Sequence, residues 1–191
     1  MKMFKRLILI ITVVLIVVFL LFITGKSVLK LLFPIQHIEA VSEACQAFDL
    51  DPYLVLSLIK AESNFVSDAE SGKGAVGLMQ ITASTGEWIA EKLTIDNYYF
   101  ELLKEPQTNI YMGSWYLAYL LEKYNDDEML ALCSYNAGGG NVDKWLTDTD
   151  LSPDGKTLQY IPFKETKTYV KKINQFKQIY RYLYPKLTIL K

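Results

Sequence analysis

The sequence is poor in the side chains that many enzymes use as nucleophiles, bases or metal ligands. Its 191 residues include one histidine, His37, and two cysteines, Cys45 and Cys133. A metal site built from several histidines is therefore excluded, and His37 lies too near the N-terminal end to be the base for a serine or cysteine nucleophile. If the chain is an enzyme, carboxyl, hydroxyl and amide groups must carry its chemistry. We expect no metal and no cofactor.

An excess of positive charge is also missing. The chain has 20 Lys and Arg residues against 21 Asp and Glu residues, and three of the basic residues fall within residues 1–24, which hold no acid. The rest of the chain is therefore acidic overall, which argues against nucleic acid as a partner. Cys45 and Cys133 lie in apolar helical contexts, which favours two buried thiols, although spacing alone does not decide whether they pair.

One long apolar run is present near the N-terminus. Residues 7–24, which begin at Leu7 and end at Thr24, are 18 residues without a charge. A helix of that length, at about 1.5 Å per residue, nearly crosses a hydrocarbon core of about 30 Å. Basic residues precede the run, which predicts a single-pass anchor in the cell membrane with a cytoplasmic N-terminus. The alternative is a cleaved signal peptide, but its apolar region is normally shorter and ends at small residues.

Helical periodicity runs through the rest of the chain, and strand signals are weak. Asp51 followed by Pro52 is typical of a helix start, because an aspartate caps the first turn and proline suits its first position. Further helices are predicted over about 84–93, 108–124 and 164–184 from apolar residues at three- and four-residue steps. We predict a cytoplasmic tip, transmembrane anchor and linker in residues 1–30, and an all-α extracytoplasmic domain in residues 31–191.

One carboxyl group stands out by its position. Glu62 follows Leu58 by four residues and Ile59 by three, so on a helix it lies on the apolar stripe. Burial and the negative end of the helix dipole both raise the pKa of a carboxyl group. An acid that keeps its proton near neutral pH can donate it to a glycosidic oxygen. The alternative is a helix-end glutamate that simply points to water.

Four short motifs follow one another along the chain. They are Glu62-Ser63-Asn64, the GLMQI segment at 77–81, the SYNAG segment at 134–138, and Ile161-Pro162 with Glu165-Thr166 and Tyr169-Val170. In this order and at these spacings they resemble the soluble lytic transglycosylase family, enzymes of goose-lysozyme-like fold that cleave bacterial peptidoglycan. The resemblance covers about residues 36–185. It implies a lysozyme-like, α-rich fold with at most a minimal β element, and peptidoglycan glycan strands as the partner.

The resemblance also implies a role for individual residues. Glu62 matches the single catalytic acid and base of the family. Glu165 and Tyr169 match a segment that closes the site and hydrogen-bonds near the catalytic carboxyl. The residues implied in substrate binding are Ser63, Ser71, Gly77, Leu78, Met79, Gln80, Tyr135, Asn136, Glu165 and Tyr169.

The implied reaction fits the scarcity of catalytic side chains. Ordinary glycosidases need two carboxyl groups, and no second one is obvious near Glu62. The family instead joins the 6-hydroxyl of N-acetylmuramic acid to its own C1, which leaves 1,6-anhydro ends and consumes no water. Two alternatives are open: a hydrolytic muramidase on the same fold, and a catalytically silent glycan-binding module of the cell envelope.

Overall fold

A computed structural model describes residues 2–187 of the chain. It divides into two compact units, of which one ends at Pro34 and the other begins at Ile35. The helices are α1 (Lys2–Leu32), α2 (Ile38–Phe48), α3 (Pro52–Glu62), α4 (Ala83–Leu93), a short 3-10 helix (Phe100–Lys104), α5 (Pro106–Lys123), α6 (Glu128–Ala137), α7 (Gly139–Thr147) and α8 (Lys164–Leu183). The β structure within these residues is limited to isolated antiparallel bridges that join Val76 to Glu70 and to Ile81. The all-α prediction, with at most a minimal β element, is confirmed.

The first unit contains the single long helix α1. Apolar side chains at the successive positions 8–11 are all exposed. Among the residues whose side chains are described, no helix is both long and apolar enough to cross a membrane. The transmembrane helix predicted over residues 7–24 is therefore not supported by the structure. The side chains of residues 7, 18 and 20–24 lie outside the described part.

Helix starts in the second unit follow from local sequence. The Asp51 carboxylate accepts a hydrogen bond from the Tyr53 amide at 2.9 Å, and Pro52 opens α3 as predicted. Asp127 caps α6 in the same way through the Leu130 amide at 3.0 Å. Helix α5 begins at Pro106, two residues before the predicted start, because a proline is well suited to a first helical position.

The second unit is built around α3. Every residue of this helix from Pro52 to Ile59 is buried. Helix α3 packs against α2 and α8, while α5 packs against α2, α4 and α6. Because α3 is enclosed by its neighbours, the position of its last residue, Glu62, is fixed by the core.

The two cysteines are part of this core. Cys45 and Cys133 are both buried and no disulfide joins them. Burial raises the pKa of the Cys133 thiol to about 12. This thiol therefore stays protonated and acts as a packing group.

Candidate active site

Glu62 is the last residue of α3, and its side chain is half-buried. The Tyr169 hydroxyl, which reaches over from α8, donates a hydrogen bond to Glu62 Oε1. Burial raises the pKa of Glu62 to about 7, and the Tyr169 hydrogen bond and the charge of Lys172 oppose that rise. Near neutral pH the carboxyl group is therefore present in both protonated and ionised forms.

This hydrogen bond also distinguishes the two oxygens of Glu62. Oε1 is engaged by the Tyr169 hydroxyl. A transferable proton is consequently best placed on Oε2, because Oε1 already accepts a hydrogen bond. The site thus has one carboxyl oxygen that is held and one that can exchange a proton with a bound molecule.

Within the described part of the chain, no second carboxylate is among the groups that shift the pKa of Glu62. Asp68, Glu70 and Glu165 are all exposed. The neighbours that shift the pKa of Glu62 are a tyrosine and a lysine, and none is an acid. None of the groups that act on Glu62 is therefore a candidate for the second carboxyl of a retaining or inverting pair.

Residues 76–81 form a tight loop that is hydrogen-bonded to α5. Val76 and Ile81 exchange two backbone hydrogen bonds of 3.0 Å, so both ends of the loop are closed together. Gly77 has a φ of 80°, and a Cβ there would come within 2.4 Å of the Leu103 carbonyl oxygen. Only glycine fits this turn without strain. The Gln80 side-chain amide donates to the carbonyls of Ala69 and Gly77, which stiffens the loop.

A buried asparagine on α5, which sequence reasoning missed, holds this loop in place. Asn109 is fully buried, accepts a hydrogen bond from the Met79 amide at 2.7 Å and donates to the carbonyls of Val76 and Leu103 at 3.1 and 2.7 Å. An asparagine on the same face as apolar residues such as Met112 was the available signal. Asn109 connects α5 to the loop through backbone groups alone.

Tyr135 on α6 joins the loop to the neighbourhood of Glu62. Its hydroxyl donates to the Met79 carbonyl at 2.8 Å. Burial, the charge of Glu62 and the nearby Tyr116 raise the pKa of Tyr135 well above its usual range. Leu78 and Met79 are fully buried, backbone and side chain alike, so these two predicted site residues act as the inner support of the loop.

Two more predicted site residues are Asn136 on α6 and Glu165 on α8. Asn136 accepts a hydrogen bond from the Thr166 hydroxyl at 2.8 Å, which ties α6 to α8. The expected hydrogen bond near the carboxyl comes from Tyr169, whereas Glu165 is exposed. Thr166, the next residue of α8, was not predicted as a site residue and is buried.

The two serines have local structural contacts. Ser63 follows Glu62, and its hydroxyl donates to the Ile59 carbonyl at 3.2 Å, so it closes the end of α3. The Ser71 hydroxyl accepts hydrogen bonds from the amides of Lys73 and Ala75 at 3.3 and 3.0 Å. Both hydroxyls stabilise the backbone on either side of the site.

A helical domain with a single raised-pKa carboxyl beside a glycine-turned loop is the arrangement of lysozyme-like glycan-cleaving domains. The chain belongs to the transglycosylase SLT domain family, which residues 39–156 match. Helix α8, which carries Tyr169, lies beyond the matched residues.

Individual relatives agree with this membership. The soluble lytic murein transglycosylase of Salmonella typhimurium is 30% identical over 152 residues, which are 78% of this chain and 24% of that protein. The 70 kDa soluble lytic transglycosylase of Escherichia coli superposes with a TM-score of 0.73 at 27% identity, over 85% of this chain and 26% of that one. The membrane-bound lytic murein transglycosylase C of Cronobacter sakazakii is 28% identical over 76% of this chain and 46% of its own length. This chain therefore spans about a quarter of the first two relatives.

Proposed function

We propose that this chain is a peptidoglycan lytic transglycosylase that cleaves the β-1,4 bond between N-acetylmuramic acid and N-acetylglucosamine. The observation that carries the proposal is Glu62, a half-buried carboxyl group with a pKa of about 7 that Tyr169 holds by one oxygen. Its pKa suits a group that must first donate and then accept a proton. The names of the relatives support the same activity.

In the first step Glu62 gives its proton to the glycosidic oxygen, and the bond from that oxygen to C1 of N-acetylmuramic acid breaks. The N-acetyl group of the same sugar stabilises the positive charge that develops at C1. In the second step the 6-hydroxyl oxygen of that sugar attacks C1, and its proton returns to Glu62. No water is consumed, and the product carries a 1,6-anhydro ring. An intramolecular nucleophile of this kind can reach an effective molarity of about 10⁵ M or more.

The predicted binding residues support this reaction in two ways under the proposal. Gln80 and Tyr135, which are both partly exposed, form one wall of the glycan groove, and the buried residues Gly77, Leu78 and Met79 support that wall from inside. Ser63, Ser71 and Asn136 hold the backbone that shapes the groove through the hydrogen bonds described above. Glu165 is exposed, so its carboxylate is accessible to the substrate.

We also propose that α1 anchors the chain in the cell membrane, with the catalytic unit outside the cytoplasm. Apolar side chains are exposed at consecutive positions from Ile8 to Ile11, so they occur on every side of the helix. A helix that is apolar all round is typical of a buried or membrane environment. A relative named as membrane-bound supports the same location.

Membrane attachment is tested by expressing the full chain in bacteria and washing the membranes with alkaline carbonate. The proposal expects the chain to stay with the membranes, and Leu15→Arg to release it into the wash. An exposed-surface control, Lys144→Arg, should not change the distribution. Release of the unaltered chain would contradict an integral anchor.

The activity is tested by incubating the full chain with purified peptidoglycan and identifying the sugar ends of the products by mass spectrometry. We expect 1,6-anhydro-muramic acid ends, and no such ends with Glu62→Gln. Reducing muramic acid ends alone would identify a hydrolytic muramidase. Binding to the polymer without any product would identify a silent glycan-binding module.

A further inference from the structure

Lys172 lies on α8 near Tyr169, and its ammonium group reaches the C-terminal end of α3. It donates a hydrogen bond to the Ala61 carbonyl at 3.1 Å. Ala61 directly precedes Glu62, so this contact lies one residue from the carboxyl group that carries the proposed reaction. Tyr169 and Lys172 are three residues apart on one helix, and positions at that spacing share a face. Helix α8 thus brings a hydroxyl and an ammonium group to the same end of α3.

Two contacts fix the Lys172 ammonium group. The Ala61 carbonyl is among the last four of α3, which have no amide partner within the helix and form the negative end of its dipole. The Phe176 ring, one turn further along α8, has its centroid 5.5 Å from Lys172 Nζ, which is within the range of a cation–π contact. The ammonium group is therefore held by both the carbonyl and the ring, although the residue as a whole is exposed.

The charge of Lys172 acts on both ionisable side chains at this end of α3. Burial raises the pKa of Glu62, and the Tyr169 hydrogen bond and the charge of Lys172 oppose that rise. Burial, and after it the charge of Lys172, lower the pKa of Lys60, because two ammonium groups repel each other. Lys60 itself donates to the Asn64 side chain and is not among the groups that act on Glu62. Within the described part of the chain, Lys172 is therefore the cation that acts on the Glu62 carboxyl group.

The other titratable groups that interact with Glu62 are two tyrosines. Tyr169 donates to it from α8, and Tyr135 lies on α6. Burial and the charge of Glu62 raise the pKa of both hydroxyls well above their usual range, so both stay neutral near pH 7. Helix α2 also packs against α3, but among the described residues it contributes none of the groups that act on Glu62.

We propose that Lys172 is a positioning residue of the same reaction, whose ammonium group stabilises the Glu62 carboxylate that exists between the two proton transfers. The inference rests on the proposed function for those two steps. Once Glu62 has given its proton to the glycosidic oxygen, it keeps a negative charge until the proton of the 6-hydroxyl reaches it. A cation that is hydrogen-bonded to the end of α3 favours that charge and need not exchange a proton itself. Because Lys172 is exposed, dissolved salt weakens this effect.

The direct test is the titration of Glu62 in the full chain, held in detergent micelles and labelled with ¹³C in its glutamate side chains. NMR follows the carboxyl signal of Glu62, which is identified by its absence from Glu62→Gln. In Lys172→Met, which removes the charge, the midpoint should move to higher pH, and in Lys172→Arg, which keeps the charge, it should stay near that of the wild type. Lys171→Met is the matched control, because Lys171 is an exposed neighbour on α8 that is not among the groups acting on Glu62. It should leave the midpoint unchanged.

Cleavage of glycan strands gives a second readout. Lys172→Met should lower kcat/KM at the optimum and raise the ratio of kcat/KM at pH 8 to kcat/KM at pH 6 by about twofold, because a weaker acid keeps its proton to higher pH. A rise in salt from about 0.05 M to about 0.5 M should move the Glu62 midpoint of the wild type to higher pH and change that of Lys172→Met much less. An equal response of the two chains to salt would contradict the inference.

The outcomes separate this inference from the proposed function. If the midpoint is the same in Lys172→Met as in the wild type, the inference is refuted even where activity falls, because Lys172 then only closes the end of α3. A shifted midpoint with an unchanged pH ratio in an active chain also refutes it, whereas a shift in both supports it. If the wild-type chain cleaves nothing while the midpoint shifts, the proposed function fails and the action of Lys172 on Glu62 stands.

Discussion

Glu62 has its high proton affinity because α3 ends inside a packed site. Burial penalises the charged form of the carboxyl group more than Tyr169 and Lys172 favour it, which leaves a pKa of about 7. Both the protonated and the ionised form of Glu62 are thus populated at neutral pH. One side chain can then serve both steps of the proposed reaction.

Glu62→Gln is expected to bind glycan and to lose activity by about 10³-fold or more, because an amide cannot exchange a proton. The full chain and the variant would be compared for turnover and for cosedimentation with peptidoglycan. Gln80→Glu is not a suitable control, since the Gln80 amide holds the loop. Gln175→Glu, at an exposed position of α8, should leave both properties unchanged. Substantial turnover by Glu62→Gln would contradict the assignment of the acid.

The same substitution has a pH-dependent effect on stability. In the folded chain the pKa of Glu62 is raised from 4.5 to about 7, so the unfolded chain releases its proton first as the pH rises. The folded state is therefore penalised progressively between pH 4.5 and 7, and the penalty is constant above this window. We expect Glu62→Gln to raise the free energy of unfolding at pH 8, relative to its effect at pH 4, by about 1–2 kcal/mol, a value reduced for solvent screening. Equal effects at the two pH values in urea denaturation would contradict the raised pKa.

Tyr169→Phe is expected to move the alkaline limb of the pH profile of kcat/KM to higher pH. The Tyr169 hydrogen bond favours the ionised form of Glu62, so its loss raises the pKa further above 7. Activity at the optimum should fall by about tenfold, less than for Glu62→Gln. Tyr160→Phe, at an exposed tyrosine, serves as the control and should keep the original profile. A shift to lower pH would contradict the role given to Tyr169.

At the scale of elements, α5 and the loop at 76–81 behave as one unit because Asn109 satisfies the polar backbone between them. Asn109→Leu should reduce the free energy of unfolding by about 2–4 kcal/mol, since it leaves buried amide and carbonyl groups without their partner. Asn174→Leu makes the same change at an exposed position of α8 and should have little effect. Thermal and urea denaturation would measure both. A cost at Asn109 no larger than at Asn174 would show that the loop is held by other contacts.

Local rules predict the helices of this chain well, and the site less well. The Asp51 cap and the following Pro52 define the start of α3 without knowledge of the fold. Local rules do not identify Asn109, because its hydrogen-bond partners are backbone groups that approach it only after folding. One of them, the Met79 amide, is 30 residues away in sequence. The Gln80 amide, implied in substrate binding, instead donates to the carbonyls of Gly77 in its own loop and of Ala69 before it, because the left-handed backbone at Gln80 brings both within reach.

At the scale of the whole molecule, the site depends on contacts between distant parts of the chain. Tyr169 and Glu62 are 107 residues apart in sequence. Helix α8 is held against α3 at its far end by the Arg181 and Asp51 ion pair of 2.6 Å and by the Tyr53 hydroxyl, which donates to the Tyr184 carbonyl at 2.7 Å. The motif around Tyr169 predicts its closeness to Glu62 only through family resemblance, because no local pattern links the two helices.

Ending the chain after Phe163 is therefore expected to abolish cooperative folding of the second unit. The deletion removes the buried residues Ile173, Tyr180 and Leu183, and it uncovers the apolar side of α3. Circular dichroism during heating would show a broad, weak transition in place of a sharp one. Ending the chain after Leu187 should keep the sharp transition and serves as the control. A sharp transition in the shorter chain would show that α8 is dispensable for the core.

In the proposed reaction the nucleophile comes from the substrate and not from water. Digestion of purified peptidoglycan by the full chain in water enriched in ¹⁸O tests it most directly, with the muramic acid ends examined by mass spectrometry. We expect 1,6-anhydro ends that contain no ¹⁸O, since the C6 oxygen of the same sugar closes on C1. Reducing ends that carry one ¹⁸O atom at C1, formed in proportion to cleavage, would contradict it.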